Sequence, residues 1–172
     1  MIGITLRAGS EAGRFWEWVD KASAWEATSS IRALGYPPHL TLARYADLSP
    51  DVLREALEPL GTERALSLTF DRIGLFDVDP LVLWLSPRSD RRLIDLHAKI
   101  HEVVGPARCD PYYQPGQWTP HLTIATAVPV ERRSESLALA AESFEPFSLV
   151  FDVAEIVSWP PLGVLETVQL GG

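Results

Sequence analysis

The hexapeptide Pro38-His39-Leu40-Thr41-Leu42-Ala43 recurs as Pro120-His121-Leu122-Thr123-Ile124-Ala125, with only isoleucine for leucine changed. An aromatic residue, Tyr36 or Trp118, stands three positions before each histidine. A shared hexapeptide constrains the fold only if its surroundings repeat in step. They do: the offset from His39 to His121 matches, to within one position, the offset from Ser67-Leu68-Thr69-Phe70-Asp71 to Ser148-Leu149-Val150-Phe151-Asp152, and these two segments share Ser, Leu, Phe and Asp in register. A helical pattern lies between motif and strand each time, at 50–58 and at about 130–143. Charge divides evenly too: residues 1–86 hold 8 basic and 12 acidic side chains and residues 87–172 hold 7 and 11, so each half is −4. The chain reads as one domain of two related halves, 1–86 and 87–172.

The remaining elements follow from periodicity and caps. Ile2-Gly3-Ile4-Thr5-Leu6 alternates like a half-buried strand, and Ser10 is offered as the cap of the next helix. That helix carries Phe15, Trp18, Val19, Ala22 and Trp25 at helical spacing, an apolar stripe for packing on a sheet. Ser49-Pro50-Asp51 opens a second helix, with a cap, a proline where its missing N–H is harmless, and an acid at the positive end of the dipole. Leu66 to Asp71 alternates as a strand. Leu81-Val82-Leu83-Trp84-Leu85 is a continuous apolar run suited to a strand covered on both faces, and Asp77-Val78-Asp79-Pro80 before it is a turn. A third helix starts near Ser89-Asp90, packs Leu93, Leu96, Ile100, Val103 and Val104, and stops at Gly105-Pro106. Strand patterns return at 147–157 and 164–170. Strands and helices are mixed throughout, so the class is α+β or α/β.

Composition closes other routes. Cys109 is the single cysteine, so no intrachain disulfide and no cysteine-based zinc cluster can form. No stretch approaches the ~20 apolar residues that span a bilayer, and the N-terminus lacks the basic start of a secretory signal. The expectation is a soluble, cytoplasmic monomer without a membrane partner. A net charge of −8 argues against coating DNA or long RNA, since that affinity comes from Lys and Arg on phosphates. Small or end-recognised anions remain open as substrates.

On a strand, His39 and Thr41 share one face while Leu40 and Leu42 turn to the core. Should the halves be related by an approximate two-fold axis, the two His-x-Thr faces can meet across a cleft. Two imidazoles and two hydroxyls then address one small volume. Phosphodiester hydrolysis without a metal needs a base, an acid on the far side, and donors for the non-bridging oxygens. Histidine serves as either partner near neutral pH. A cyclic phosphate suits so small a set of groups because its ring already positions the leaving oxygen.

With both Pro-His-x-Thr-x segments, 38–42 and 120–124, the chain resembles the two-histidine (2H) phosphoesterase superfamily, which includes 2′-5′ RNA ligase-like proteins and cyclic phosphodiesterases. The resemblance covers essentially the whole chain. It implies an α+β bilobal fold, with antiparallel sheets lining a central cleft and helices outside. It implies His39 and His121 as the catalytic pair and Thr41 and Thr123 on the phosphate, with no metal or other cofactor. The substrate would be a small nucleotide or an RNA-end 2′,3′-cyclic phosphate. It leaves open a nucleotide-binding module without turnover, and an RNA 2′-5′ ligase or RNA-end processing enzyme.

Other residues carry weaker signals. Tyr36, Trp118, Tyr113, Tyr112 and Trp159 are candidates to stack a base or wall the cleft. Residues 110–117, punctuated by Pro and Gly, form the loop expected to wall the substrate. His97 and His101 have the spacing of two ligands on one helix face, but a third ligand is not evident, so they read as packing. Arg44 sits on the face opposite Thr41 unless the strand ends or bulges between them. Arg88, Arg91 and Arg92 read as solvated charges near a helix start, and Cys109 as a buried thiol.

Overall fold

The computed structural model describes residues 1–9 and 12–171. The chain runs β1 (Ile2–Ala8), α1 (Gly13–Ser23), α2 (Ser30–Leu34), β2 (His39–Tyr45), α3 (Pro50–Leu57), β3 (Leu66–Phe76), β4 (Leu81–Pro87), α4 (Arg91–Val104), β5 (Leu122–Val128), α5 (Arg133–Ala140), β6 (Phe147–Ser158) and β7 (Gly163–Gln169). The order β-α-β-α-β therefore occurs twice, as β1-α1-β2-α3-β3 and β4-α4-β5-α5-β6. The short α2 is an insertion in the first round, and β7 follows the second. The break falls in the turn 77–80, ahead of the midpoint at residue 86 used for the charge count.

All seven strands form one antiparallel sheet in the order β2-β1-β6-β3-β4-β5, with β7 beside β6. Exchanging each strand for its counterpart (β1 with β4, β2 with β5, β3 with β6) reverses that order onto itself. The axis lies in the β3–β6 pair, where Leu68 faces Leu149, its own counterpart in the repeat. The repeat seen in the sequence is thus the symmetry of the sheet. The motif strands β2 and β5 are its two ends, and they approach one another.

The helices tie the halves together. α1 packs on β5 and α4 on β2, so each half lends its first helix to the other's motif strand. α3 packs on β6 and α5 on β3 in the same exchanged manner. Phe15, Val19 and Ala22 are buried on α1, and Leu93, Leu96 and Ile100 on α4, as the apolar stripes require, whereas Trp25 falls beyond the end of α1 and Val103, expected to pack, is exposed. Ser49 accepts from the Asp51 N–H at 3.3 Å and Asp90 from the Leu93 N–H at 3.0 Å, capping α3 and α4. Gly105 ends α4 at φ 78°, a conformation open to glycine.

Two of the expected elements differ in the structure, and one expectation, the Ser10 cap, lies outside the described residues. The helix expected over about 130–143 is a 3-10 turn at Val130–Arg132 followed by the shorter α5. β4 is covered on one face only: Leu81, Leu83 and Leu85 are buried, while Val82 and Trp84 on the other face are half-buried. The apolar run reads as two-sided because Val82 and Trp84 on the half-buried face are apolar as well, and Trp84 reaches His121.

Candidate active site

Both motifs fold alike in atomic detail. The His39 Nδ1–H donates to the Pro37 carbonyl at 2.9 Å, and the His121 Nδ1–H to the Thr119 carbonyl at 2.7 Å. A carbonyl only accepts, so each neutral ring carries its proton on Nδ1 and leaves an Nε2 lone pair free. Pro37 and Thr119 hold the same place two residues before their histidines. One local turn thus fixes the same tautomer in both halves.

Each motif strand then bulges. β1 pairs Thr5 with Thr41 and Ile4 with Ala43, so Leu42 is the extra residue. β4 pairs Trp84 with Thr123 and Leu83 with Ala125, so Ile124 is its counterpart. A one-residue bulge reverses the alternation that follows. Leu42 and Ala43 are consequently both buried, and Arg44 shares the face of His39 and Thr41. The matching position in β5 is the exposed Thr126. The bulge places Arg44 on the site face, where plain alternation would not, and having Arg44 in one half against Thr126 in the other breaks the symmetry of the site.

The surroundings of the two histidines differ further. His39 lies beside a polar network. Tyr36 meets its ring edge-on, with centroids 4.8 Å apart. The Tyr36 hydroxyl donates to buried Glu155 and is 2.9 Å from Thr5 Oγ1. Arg7 Nε donates to Glu155 at 2.8 Å and Thr167 Oγ1 does so at 3.3 Å. Glu155 is 3% exposed, and a carboxylate so buried persists only with such partners. His121 lies instead among aromatics, with Phe76 edge-on at 5.0 Å, Trp84 at 6.0 Å and Tyr113 at 6.3 Å. Gly74 makes room for Trp84, because a Cβ there would sit 2.2 to 2.5 Å from three of its ring carbons.

Burial lowers the affinity of both imidazoles for a second proton, opposed in each by the carbonyl on Nδ1. Beyond that the rings part company. Positive charge on His121 lowers His39 and the Glu155 carboxylate raises it, whereas the Arg44 cation lowers His121.

The loop at 110–118 is built against β2. Arg44 pairs with Asp110, its Nε at 3.1 Å, and its guanidinium lies over Tyr113 at 5.0 Å from the ring centre. Trp118 Nε1 donates to the Thr41 carbonyl at 3.1 Å and its ring stacks on His97 at 4.1 Å. His97 and His101 both donate Nε2–H to the Tyr113 carbonyl, at 2.8 and 3.0 Å. The His-x-x-x-His pair therefore pins the loop. Among the described residues no cluster of three or more His, Cys, Asp or Glu side chains suits a metal. Tyr36 is 6% exposed and supports His39, Tyr112 is exposed away from these contacts, and Trp159 packs over Gly3. Cys109 is buried. No helix among the described residues is long and apolar enough to cross a membrane.

Arg7, Glu155, Phe76 and Trp84 were not singled out from sequence. Arg7, Glu155 and Trp84 reach the site through cross-strand pairing, which no local pattern announces, and Phe76 through its ring contact with His121. Arg7 faces His39 across β1 and β2, Glu155 faces Thr5 across β6 and β1, and Trp84 faces Thr123 across β4 and β5.

A family model described as the 2′-5′ RNA ligase superfamily matches residues 13–161. No curated protein matches the sequence. Among solved structures, a phosphoesterase crystal structure aligns with TM-score 0.61 at 18% identity, over 99% of this chain and 98% of that one. E. coli LigT in complex with 3′-AMP aligns with TM-score 0.60 at 18% identity over the full length of both chains. TT0787 of Thermus thermophilus aligns with TM-score 0.59 at 15% identity, over 98% of this chain and 97% of that one. LigT has also been crystallised with phosphate, ATP and NADP+. At these identities the likeness is one of fold.

Proposed function

The chain belongs to the 2′-5′ RNA ligase superfamily of 2H phosphoesterases, and on that premise we propose that it is a metal-independent cyclic phosphodiesterase acting on nucleoside 2′,3′-cyclic phosphates. The observation that carries this reading is the matched pair of imidazoles, one from each half, each with Nδ1 tied to a carbonyl two residues back and Nε2 free. Such a pair supports an in-line displacement, which needs a base on one side of phosphorus and an acid on the other.

The unlike surroundings of the two rings support one assignment of roles. The Arg44 cation favours neutral His121, whose Nε2 takes a proton from the attacking water. Burial and charge on His121 lower His39, and the Glu155 carboxylate opposes them, which supports His39 as the acid whose Nε2–H delivers a proton to the departing ribose oxygen. A P–O bond to water forms, a ring P–O bond breaks, and the product is a phosphate monoester with a free hydroxyl. Thr41, Thr123 and Arg44 serve the non-bridging oxygens, where charge builds. Phe76, Trp84 and Tyr113 beside His121, with Trp118 on the loop, offer the faces for a base. The substrate is a small nucleotide or an RNA end and not DNA, and one chain suffices. Because each half supports the other's motif strand, the halves work as one unit.

The test is turnover of a 2′,3′-cyclic nucleotide panel with EDTA present, beside His39→Ala and His121→Ala. Chelator-resistant turnover lost in both variants is expected. Chelator-sensitive turnover overturns the mechanism. Nucleotide binding without turnover makes the protein a binding module, and joining of RNA ends over 2′-5′ linkages makes it a ligase.

A further inference from the structure

A cleft of about 420 Å³ opens beside His39, lined by Arg7, Trp16, Gly35, Tyr36, Pro37 and Pro38. Three of these are the residues that lead into the first motif, so the cleft adjoins the site. Arg7 is the cross-strand partner of His39. Paired strands lie about 4.8 Å apart and directly opposed side chains share a face. The Arg7 side chain is 22% exposed, and its Nε binds Glu155. Among the described residues its two terminal nitrogens have no partner, so the outer edge of the guanidinium presents two parallel donors, the geometry that suits a phosphate. Glu155 is held from the other side by Tyr36 and Thr167, which fixes the fork in place.

The second half has no equivalent. Beside His121, β4 carries Trp84 and Ser86 where β1 carries Thr5 and Arg7. A counterpart of Arg7 is thus absent beside His121, and this guanidinium belongs to the His39 side alone.

We propose that this cleft is a second anion subsite, and that the preferred substrate is a nucleoside 2′,3′-cyclic phosphate carrying a further phosphate on its 5′ oxygen. The inference rests on the cyclic phosphodiesterase reading for its reacting group. Its own content is the Arg7 cleft. In an acidic protein, one oriented guanidinium in a recess selects by local charge where the surface as a whole repels anions.

Two stable ligands test it without requiring turnover: adenosine 3′,5′-bisphosphate and 3′-AMP, compared by calorimetry. The bisphosphate is expected to bind about tenfold more tightly, the scale of one bidentate charge-assisted contact. The Arg7→Gln/Glu155→Gln double variant removes both charges, so no buried carboxylate is stranded. In it the two affinities should come within about twofold, while Arg7→Lys keeps part of the preference. Equal affinities in the wild-type protein overturn the proposal, as does a preference that survives in the double variant. Failure of the phosphodiesterase reading is seen separately, as absence of cyclic-nucleotide turnover with the bisphosphate preference intact.

Discussion

Gly74→Ala is the sharpest probe of how the aromatic side of the cleft is built. Gly74 on β3 pairs with Trp84 on β4, and a methyl group there would lie 2.2, 2.4 and 2.5 Å from three ring carbons. Carbon atoms pack at about 3.5 to 4.0 Å, so the ring must retreat by more than about 1 Å. It has little room, with Phe76 at 5.0 Å and His121 beyond it at 6.0 Å. Overpacking of this kind costs about 1 to 3 kcal/mol. The alanine also stiffens the unfolded chain, which returns about 0.4 to 1 kcal/mol, since Gly74 does not occupy a positive-φ conformation. The net expectation is a loss of about 1 to 2 kcal/mol. For a chain of this size that lowers Tm by about 2 to 8 °C. Urea unfolding and calorimetry of Gly74→Ala, Trp84→Leu and the double variant form a closed cycle. If the clash is with Trp84, the alanine should cost nothing, or stabilise, once the indole is gone. An undiminished penalty in the Trp84→Leu background would refute the packing argument.

Other consequences are read by standard assays. Since burial holds both active-site imidazoles below the ordinary histidine value, kcat/KM should follow a bell with its centre on the acid side of about 6.5. Arg44→Gln lets the His121 value rise, moving the acid limb to higher pH; an unmoved limb contradicts the assignment of His121 as base. His97 is depressed to about 4 by burial, so the unfolded chain binds its proton first and stability falls as pH drops from about 6.5 towards 4. The loss on full acidification is about 3 kcal/mol, and His97→Gln should flatten that part of the Tm profile. Trp118→Phe keeps the stack on His97 but removes the bond to the Thr41 carbonyl. It should cost about 1 kcal/mol and raise KM more than it lowers kcat.

The elements that organise the fold were legible because their signals are local or repeated. Ser49-Pro50 and Asp90 mark helix starts by capping chemistry, and the nearly constant offset between the repeated segments already contained the two-fold axis that passes between Leu68 and Leu149. What was hidden depends on register. Nothing in His-Leu-Thr-Leu-Ala-Arg says that Leu42 bulges, yet the bulge decides which face Arg44 takes. Glu155 sits in an apolar strand near the far end of the sequence from His39, and only the pairing of β6 with β1 brings it to Tyr36. α2 is a five-residue helix, too short to show a period, although Ser29 caps it and Gly35 ends it. Tyr36 reads as a free aromatic until its hydroxyl is seen held by Glu155 and Thr5.

The central claim is that His39 and His121 act as one unit contributed by two halves, and the kinetics of His39→Ala, His121→Ala and the double variant on one 2′,3′-cyclic nucleotide test it most directly. Groups that work only together lose nearly everything with the first removal. Each single variant should fall by about 10² to 10⁴ in kcat/KM with an unchanged Tm, and the double variant should fall little further. Full activity in either single variant, or losses that multiply in the double variant, would contradict the account.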